Sequence, residues 1–417
     1  MASRIVLIDP SLGRSGGHHA VVAANYAKLL KPTGRPVVFA GNIQAFAADH
    51  TVIPAFGYVV EDVFRVTLYG ARWLADRRLV QLARAMRPPA ALRRAFARGR
   101  ALPATQAPLD PAQCAELVRS FGAAAALRRL DTQLSLGEAD DLVLLAADPA
   151  LLAALADRAE RWLAAHAPRL HVVFMYPEAR VLGASTEEGF FSIYRSLLNA
   201  ARPPRFYAES GLHAADLSAR LGADVAELPT PVRIAALPPA AGPWTIGVLG
   251  AARADKGFEK LPRIVAAARD LDPGLAFRIQ GPPSEAGLDA PARRLRRLPG
   301  VTLLAPDLSD EAYEAELARA HVVLLPYDRE SFARRGSGVL ADALIAGRPA
   351  VVTRGTALED ALGAGLLADT PEEFADAIVR IKARNVEFAD AAQAGAGRAL
   401  ERLRASPLVG ALSLDTH

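Results

Sequence analysis

The segment 321–356, HVVLLPYDRESFARRGSGVLADALIAGRPAVVTRGT, constrains the fold of this chain more than any other. An apolar run, Val322–Leu325, leads into a polar loop with two arginines, a short apolar helix and a second apolar run, Ala350–Val352. Strand, loop, helix and strand within about 35 residues predict a βαβ unit of a parallel sheet.

The loop of this unit lies where a ligand is expected. Open parallel sheets bind ligands at the carboxyl ends of their strands, and a helix N-terminus offers N–H groups to an anion there. Arg334 and Arg335 come just before the predicted helix start at Ser337 and Gly338. The segment therefore predicts a phosphate site. Asp342, one turn inside the helix, is suited to accept hydrogen bonds from a ribose.

Strands and helices alternate along the rest of the chain. A length of 417 residues favours two domains. A segment rich in Pro and Ala, 234–243, is the predicted linker between an N-terminal domain, 1–233, and a C-terminal domain, 244–395, with a helical tail at 396–417. The expected fold class is α/β, with two tandem Rossmann-like domains facing across a cleft.

Each predicted strand is a short β-branched or leucine-rich run between turn signals, as in buried parallel sheets. The predicted strands are Arg4–Asp9, Pro36–Ala40, Leu142–Ala146, Leu170–Met175, Arg205–Ala208, Thr245–Leu249, Ala276–Gln280, Val301–Leu304, Val322–Leu325 and Ala350–Val352. The predicted helices are His18–Leu30, Val63–Arg98, Pro111–Leu130, Pro149–His166, Phe190–Ala201, Phe258–Ala268, Asp310–Ala320, Gly338–Ala346 and a pair within Pro371–Leu403.

Composition excludes several classes of protein. Cys114 is the only cysteine, which rules out disulfides and cysteine-based zinc sites. No uncharged apolar run reaches 18 residues, and the N-terminus has the pattern of a strand rather than of a signal peptide. We therefore expect a cytoplasmic protein, or one that is peripheral at the inner face of the membrane.

The positive charge is concentrated in residues 65–100. The net charge of the chain is only +4, but this stretch holds ten arginines against one acid, Asp76. It predicts basic amphipathic helices that lie on an anionic membrane or bind an acidic polymer, and a solvated helix face is the alternative. No nucleic-acid motif or aromatic interleaving accompanies the charge, so nucleic acid is not an expected partner.

A second cationic loop opens the C-terminal domain. The predicted strand Thr245–Leu249 runs into Gly250, and Arg253, Lys256 and Gly257 follow just before a helix. Two cations three residues apart can face one anion, as a departing diphosphate requires. A surface turn with two solvated charges is the alternative, which the Arg334–Asp342 loop in the same domain disfavours.

These motifs resemble the donor-binding domain of the family 4 glycosyltransferases, which have the GT-B fold. The match is Gly250 followed by Arg253 and Lys256-Gly257, and Asp342-Ala343 followed by Gly347-Arg-Pro349, over residues 244–360. The resemblance implies that Arg253 and Lys256 hold the donor diphosphate and that Asp342 holds the ribose. It is also consistent with a C-terminal tail that crosses back to the first domain.

The chain departs from the family pattern in three places. Asp342 stands where the family has the second glutamate of a Glu-x7-Glu motif, and Arg334 stands where the first glutamate would fall. Arg253 also lies closer to Lys256 than the family arginine usually does. The resemblance is therefore to a divergent branch, in which Arg334 belongs to the donor-binding loop.

The first domain has its own glycine-rich loop. Gly16 and Gly17 follow the first strand and allow close backbone approach to a donor phosphate, as the Gly-Gly loop of the same family does. His18 and His19 begin the next helix, and we predict that His19 acts in catalysis and that His18 contacts the acceptor. A capping or packing role is the alternative. Adjacent histidines cannot chelate as an i, i+4 pair does, so no metal site is expected.

The sequence MYPEAR at 175–180 follows another predicted strand. Tyr176, Glu178 and Arg180 would then lie at the cleft rim and suit a hydroxyl-rich acceptor. A structural ion pair between Glu178 and Arg180 is the alternative.

The expected function is transfer of a sugar from UDP or GDP to a hydroxyl group of a glycan or lipid-linked acceptor. The resemblance implies retention of configuration and no metal or cofactor, with the nucleotide sugar as co-substrate. The alternatives are a non-catalytic GT-B protein that binds a nucleotide sugar or glycan, and a nucleotide-sugar epimerase, which Arg334 argues against. The sequence leaves the base, the sugar, the acceptor and the oligomeric state open.

Overall fold

The computed structural model describes residues 3–13, 18–42, 52–58, 121–175, 191–232, 235–283 and 287–413. These residues form two separate β-sheets with helices between the strands. The chain divides into two compact units, and residues 24–33 and 207–216 belong to the second unit together with everything after 226. The boundary at 234–243 stays a prediction.

The first sheet has seven strands in the order β3-β2-β1-β4-β5-β6-β7. Strands β1, β2, β3, β4 and β5 pair in parallel. The strands are β1 (Ile5–Ile8), β2 (Val37–Asn42), β3 (Val52–Phe56), β4 (Asp141–Leu144), β5 (Arg169–Phe174), β6 (Arg205–Ala208) and β7 (Val225–Glu227). The order reverses between β1 and β4, which is the topological switch point of this sheet.

The second sheet has six strands in the order β10-β9-β8-β11-β12-β13, all paired in parallel. The strands are β8 (Thr245–Val248), β9 (Ala276–Gln280), β10 (Val301–Leu304), β11 (Val322–Leu325), β12 (Ala350–Thr353) and β13 (Gly365–Ala368). Here the order reverses between β8 and β11. Alternate residues of β11 pack into two separate cores, one on each face, so the strand is buried on both sides.

The helices cover these sheets. In the first unit and the segments after it they are α1 (His18–Leu30), α2 (Ala123–Leu134), α3 (Pro149–Ala156), α4 (Ala159–Trp162) and α5 (Gly211–Leu221), with a further helical stretch at 191–196. Those that follow are α6 (Leu261–Leu271), α7 (Asp289–Arg297), α8 (Asp310–Arg319), α9 (Gly338–Ile345), α10 (Ala357–Ala361), α11 (Pro371–Ala383), α12 (Asn385–Arg404) and α13 (Pro407–Ser413).

The expected α/β class with two Rossmann-like sheets is confirmed. One expected helix, Phe258–Ala268, begins later than the sequence pattern indicates, for a local backbone reason. Pro262 lacks an N–H group and lies in the first turn of α6, which begins at Leu261. The residues before it, Phe258–Lys260, form a 3-10 turn instead. Of the expected helix Pro111–Leu130, residues 111–120 lie outside the described residues, and α2 begins at Ala123 after Gly122, whose φ is +76°. None of the helices in the described ranges is long and apolar enough to cross a membrane.

Candidate active site

Two loops of the second unit leave the carboxyl ends of β8 and β11, the strands on either side of the switch point. Gly250 and Gly257 in the first loop have φ of +87° and +72°, which glycine adopts without strain. A Cβ on Gly257 would overlap the carbonyl oxygen of Pro326 at the end of β11. The N–H of Asp328 donates to the carbonyl of Asp255 at 2.9 Å. The two loops are therefore held together, and the glycines permit it.

Arg253 and Arg335, one from each loop, are bridged by the carboxylate of Asp255. Arg253 Nε and Nη2 lie 3.0 and 3.2 Å from the two Asp255 oxygens. Arg335 Nη1 lies 3.4 Å from Asp255 Oδ2. Each guanidinium can donate in a planar fork to a carboxylate or phosphate. The bridging carboxylate marks the place between the two arginines where an anion is stabilised.

Lys256 completes the cluster of cations. The residue as a whole is half-buried. Its ammonium group is enclosed, and Nζ lies 5.6 Å from the centroid of the Tyr327 ring. A Cβ added to Gly250 would lie 3.0 Å from Nζ. Burial, together with the positive charges of Arg253 and Arg335 and against the opposing charge of Asp255, lowers the pKa of Lys256 to about 7. An anion placed here would be attracted by the two arginines and would favour the protonated form of Lys256.

Helix α9 starts beside this cluster. Ser337 is its N-cap and accepts a hydrogen bond from the Leu340 N–H through Oγ. Gly338 is the first helical residue. The burial of Tyr327 raises the pKa of its hydroxyl to about 12, so this neighbour stays neutral. The expected helix N-terminus is thus present at the switch point with a serine cap.

Asp342 lies one turn further along α9 and is buried. The Tyr313 hydroxyl on α8 donates to Asp342 Oδ2 at 3.1 Å. This contact orients the carboxylate, and only 8% of the residue is exposed. Asp342 remains on the helix that begins at the cation cluster, and its ribose-binding role stays a prediction.

Arg334, the arginine in place of the family glutamate, has a different partner from its neighbour Arg335. Its Nη1 lies 2.9 Å from Oδ2 of Asp216 on α5. Its backbone carbonyl accepts a hydrogen bond from the Ser210 hydroxyl at 2.6 Å. The structure therefore directs Arg334 to α5 and Arg335 to Asp255, which the sequence did not separate.

In the first unit, helix α1 begins at His18 and ends at Leu30, as expected. His19 is buried, and its Nδ1 lies 2.7 Å from Oδ2 of Asp9 at the end of β1. The remaining predictions for this unit cannot be placed in the same way. Gly16, Gly17, Tyr176, Glu178, Arg180 and the basic stretch 65–100 lie outside the described residues.

Four residues of the sites were missed by sequence reasoning. They are Asp255, Tyr327 and Tyr313 in the second unit and Asp9 in the first. Asp9 directly follows an apolar strand, and that position is itself a signal for a ligand-facing side chain. Among the described residues, no three His, Cys, Asp or Glu side chains cluster as metal ligands would.

Residues 243–383 match the family model described as Glycosyl transferases group 1. The fold is similar to that of sucrose-phosphate synthase from Thermosynechococcus elongatus, with a TM-score of 0.60 and 15% identity over 99% of this chain and 96% of that one. The fold is also similar to that of TarM from S. aureus. The TM-score is 0.65 and the identity 10%, over 100% of this chain and 99% of that one.

An α,α-trehalose-phosphate synthase (UDP-forming) from Burkholderia vietnamiensis has a TM-score of 0.61 and 13% identity, with 99% of both chains covered. A comparison with curated protein sequences finds no match. At 10–15% identity, the three structures show a similar fold and nothing more. The family match adds sequence similarity over the second sheet. The chain therefore has the two-sheet GT-B fold of these glycosyltransferases, and its residues 243–383 carry the sequence pattern of the glycosyl transferases group 1.

Proposed function

We propose that this protein transfers a sugar from a UDP- or GDP-sugar to a hydroxyl group of a glycan or lipid-linked acceptor. The observation that carries the proposal is the convergence of Arg253, Lys256 and Arg335 beside the N-terminus of α9. Three cations around one carboxylate, at the switch point of a parallel sheet, suit a diphosphate. The family match over 243–383 supports this donor side.

In the proposed reaction the bond between the anomeric carbon of the sugar and the diphosphate breaks, and its electron pair leaves with the diphosphate. The acceptor hydroxyl oxygen forms the new bond to that carbon, and its proton passes to the departing diphosphate. Arg253, Arg335 and the protonated Lys256 stabilise the charge that develops there, as fixed cations do in a site that excludes water. Ser337 and Gly338 offer backbone N–H groups at the start of α9. Asp342 is assigned to the ribose by its place in the family pattern.

Three finer points rest on the resemblance and belong to the same proposal. Retention of configuration and independence from a metal follow the family 4 enzymes. UDP is favoured as one donor nucleotide because a similar structure is a UDP-forming synthase and another, Anabaena HepE, was obtained with UDP and glucose. A role in polysaccharide synthesis and a peripheral place at the cytoplasmic face of the membrane rest on the arginines of 65–100.

A non-catalytic protein that binds a nucleotide sugar is the second candidate. Arg334 favours it, because this position carries an acid in the family and here forms an ion pair with Asp216. Position 334 therefore does not supply the acid that the family carries near the transferred sugar. The transferase and the binding protein share the diphosphate site, and only turnover separates them.

The experiment is to incubate the full chain with UDP-glucose, UDP-N-acetylglucosamine and GDP-mannose and a panel of glycan acceptors, and to measure released UDP or GDP. Release is expected with one donor, and Arg253→Ala and Lys256→Ala should each weaken diphosphate binding by about 1–3 kcal/mol. Arg263→Ala is the matched control, because Arg263 is exposed and pairs with Glu372.

Two results would contradict the proposal in different ways. Binding of UDP or GDP without release from any donor would favour the non-catalytic protein. Unchanged UDP and GDP affinity in both the Arg253 and the Lys256 variants would refute the assignment of the site.

A further inference from the structure

The first sheet contains a buried set of ionisable groups at its own switch point. Strands β1 and β4 lie side by side in parallel, and the order of the sheet reverses between them. Asp9 directly follows β1, and Asp148 follows β4 by four residues as the N-cap of α3. Open α/β sheets bind ligands in the crevice at this place.

Asp9 and His19 form the first pair of this set. Asp9 is fully buried, and its Oδ1 accepts a hydrogen bond from the Ser11 N–H at 2.8 Å. Its other oxygen, Oδ2, lies 2.7 Å from His19 Nδ1. A carboxylate can only accept in such a contact, so Nδ1 carries the proton. With Nδ1 protonated, the neutral form of the imidazole is the tautomer whose Nε2 is a hydrogen-bond acceptor.

Tyr58 and Asp148 form the second pair. The Tyr58 hydroxyl lies 3.2 and 3.4 Å from the two Asp148 oxygens, and Asp148 also accepts from the N–H groups of Ala150 and Leu151. Burial, opposed by the hydrogen bonds from Leu151, Tyr58 and Ala150 and assisted by the negative charge of Asp9, raises the pKa of Asp148 to about 7. Burial raises the pKa of Tyr58, and the charges of Asp148 and then of Asp9 add to this effect. The two pairs therefore act on each other as one cluster.

The charge of the cluster indicates what it binds. Within the part of the chain that the structure describes, it consists of two carboxyl groups, a phenol and an imidazole. Such a set repels a phosphate and favours a neutral group that donates a hydrogen bond. This is the opposite of the cation cluster in the second unit. A sugar hydroxyl group has the required chemistry, because it is neutral and donates one hydrogen bond.

A structural role accounts for Asp148, which caps α3, but less well for the Asp9–His19 pair. Replacing both partners of a buried hydrogen-bonded pair by apolar side chains of similar shape is often nearly neutral or stabilising. A buried carboxylate that holds a histidine in one tautomer is instead the arrangement found where the other ring nitrogen contacts a reacting or bound group.

We propose that Asp9 and His19 form a binding site for a hydroxyl group of the sugar acceptor, in which His19 Nε2 accepts the hydrogen bond and Asp9 is the positioning residue. The inference rests on the proposed transferase function and names the chemistry of its acceptor side. Asp9 acts only through His19 and touches no substrate.

The experiment combines histidine-selective ¹⁵N NMR with kinetics on the full chain. In the wild type, His19 should carry its proton on Nδ1, and its resonances are identified by their loss in His19→Gln. Asp9→Asn keeps the shape but offers an amide N–H to Nδ1, so the tautomer should reverse. Nucleotide release with acceptor should then fall about ten- to a hundredfold, mainly through acceptor KM.

The control measurements separate positioning from folding. UDP affinity should be the same in Asp9→Asn as in the wild type, because the diphosphate site lies in the other sheet. His19→Gln keeps a hydrogen-bond acceptor and should retain more release than His19→Leu. His166→Gln is the matched control, because His166 is an exposed histidine that contacts Glu138.

Two outcomes overturn the inference while the proposed function stands. One is a wild-type His19 with its proton on Nε2, and the other is an unchanged acceptor KM and kcat in Asp9→Asn. If the wild type releases no nucleotide from any donor, the proposed function fails, and the inference is tested by titrating a panel of methyl glycosides into the labelled protein. A shift of the His19 resonances supports it, and no shift with any glycoside overturns it.

Discussion

Lys256 is expected to take up a proton when a nucleoside diphosphate binds. The ammonium is enclosed, and the charges of Arg253 and Arg335 add to the burial that lowers its pKa from 10.5 to about 7. A bound diphosphate would bring negative charge to the same place and restore the ordinary preference for the ammonium. The free protein is therefore half-protonated near pH 7, whereas the complex is fully protonated.

The size of the effect follows from linkage. Above pH 7 the free protein loses the Lys256 proton and the complex keeps it, so affinity for UDP or GDP should fall about tenfold for each pH unit until the pKa of the complex is reached. Below pH 6 the same residue is protonated in both states and adds no dependence. The terminal phosphate titrates near pH 6 and is already ionised in the upper range.

Calorimetry in buffers of different ionisation enthalpy measures this directly. The wild type should take up close to one proton per bound UDP at about pH 8 and much less at about pH 6. Lys256→Gln should bind more weakly at pH 7 and lose the uptake, while Lys260→Gln, a change in the next turn of the same segment, should keep it. Equal proton uptake in the wild type and Lys256→Gln would refute the reasoning.

The remaining predictions concern the loop after β8 in the second unit and the start of β4 in the first sheet. Asp255→Asn removes the carboxylate that competes with an anion for Arg253 and Arg335. Each of these surface contacts is worth about 0.2–1 kcal/mol, so inorganic pyrophosphate should bind about two- to tenfold more tightly. Calorimetry measures this affinity, and weaker binding would contradict the prediction. Gly257→Ala should lower the free energy of unfolding by at least about 2 kcal/mol, because of the positive φ and the overlap with Pro326, and an unchanged urea midpoint would argue against that. Asp141→Ala should cost about 3–5 kcal/mol, since it leaves Arg35 and the buried His171 without their shared carboxylate. Its neighbouring cations and hydrogen bonds lower the pKa of Asp141 below its ordinary value of 3.8, so this stability is present above pH 4 and is lost as the pH falls through the lowered pKa; a deficit that grows in acid would be inconsistent with this sign.

The periodicity of the sequence was sufficient for the buried strands. Arg205–Ala208, Ala276–Gln280, Val301–Leu304 and Val322–Leu325 form strands with the expected bounds. Each is a short run bounded by turn signals. Val322–Leu325 is buried on both faces, which leaves little freedom in its composition, whereas Val301–Leu304 at the sheet edge is only partly buried. Helix α1 is confirmed with its expected bounds as well.

Three strands, β3, β7 and β13, were not predicted. β13 begins at a glycine and is only partly buried, β3 contains Pro54, and β7 has three residues. Each lacks the apolar run or the alternation on which strand prediction depends. Helix α7, rich in arginine, was missed because its few apolar positions give a weak signal.

The side-chain contacts of the sites depend on residues far apart in the sequence. The predicted start of the helix placed Ser337 and Gly338 correctly at the N-terminus of α9. The pairing of Arg334 with Asp216 and of Arg335 with Asp255 follows from how the loops pack, and adjacent arginines give no sequence signal that distinguishes them. The same holds for Tyr313 and Asp342, which meet across two helices.

The central claim is that the cations of the second sheet serve a transfer reaction and not only binding. The most direct measurement follows one nucleotide sugar, labelled in its sugar, together with an acceptor, and compares the diphosphate released with the label gained by the acceptor. We predict equal amounts of both, and loss of both in Arg253→Ala. Tight binding of the nucleotide sugar with neither release nor labelled acceptor, across UDP and GDP donors, would contradict the account.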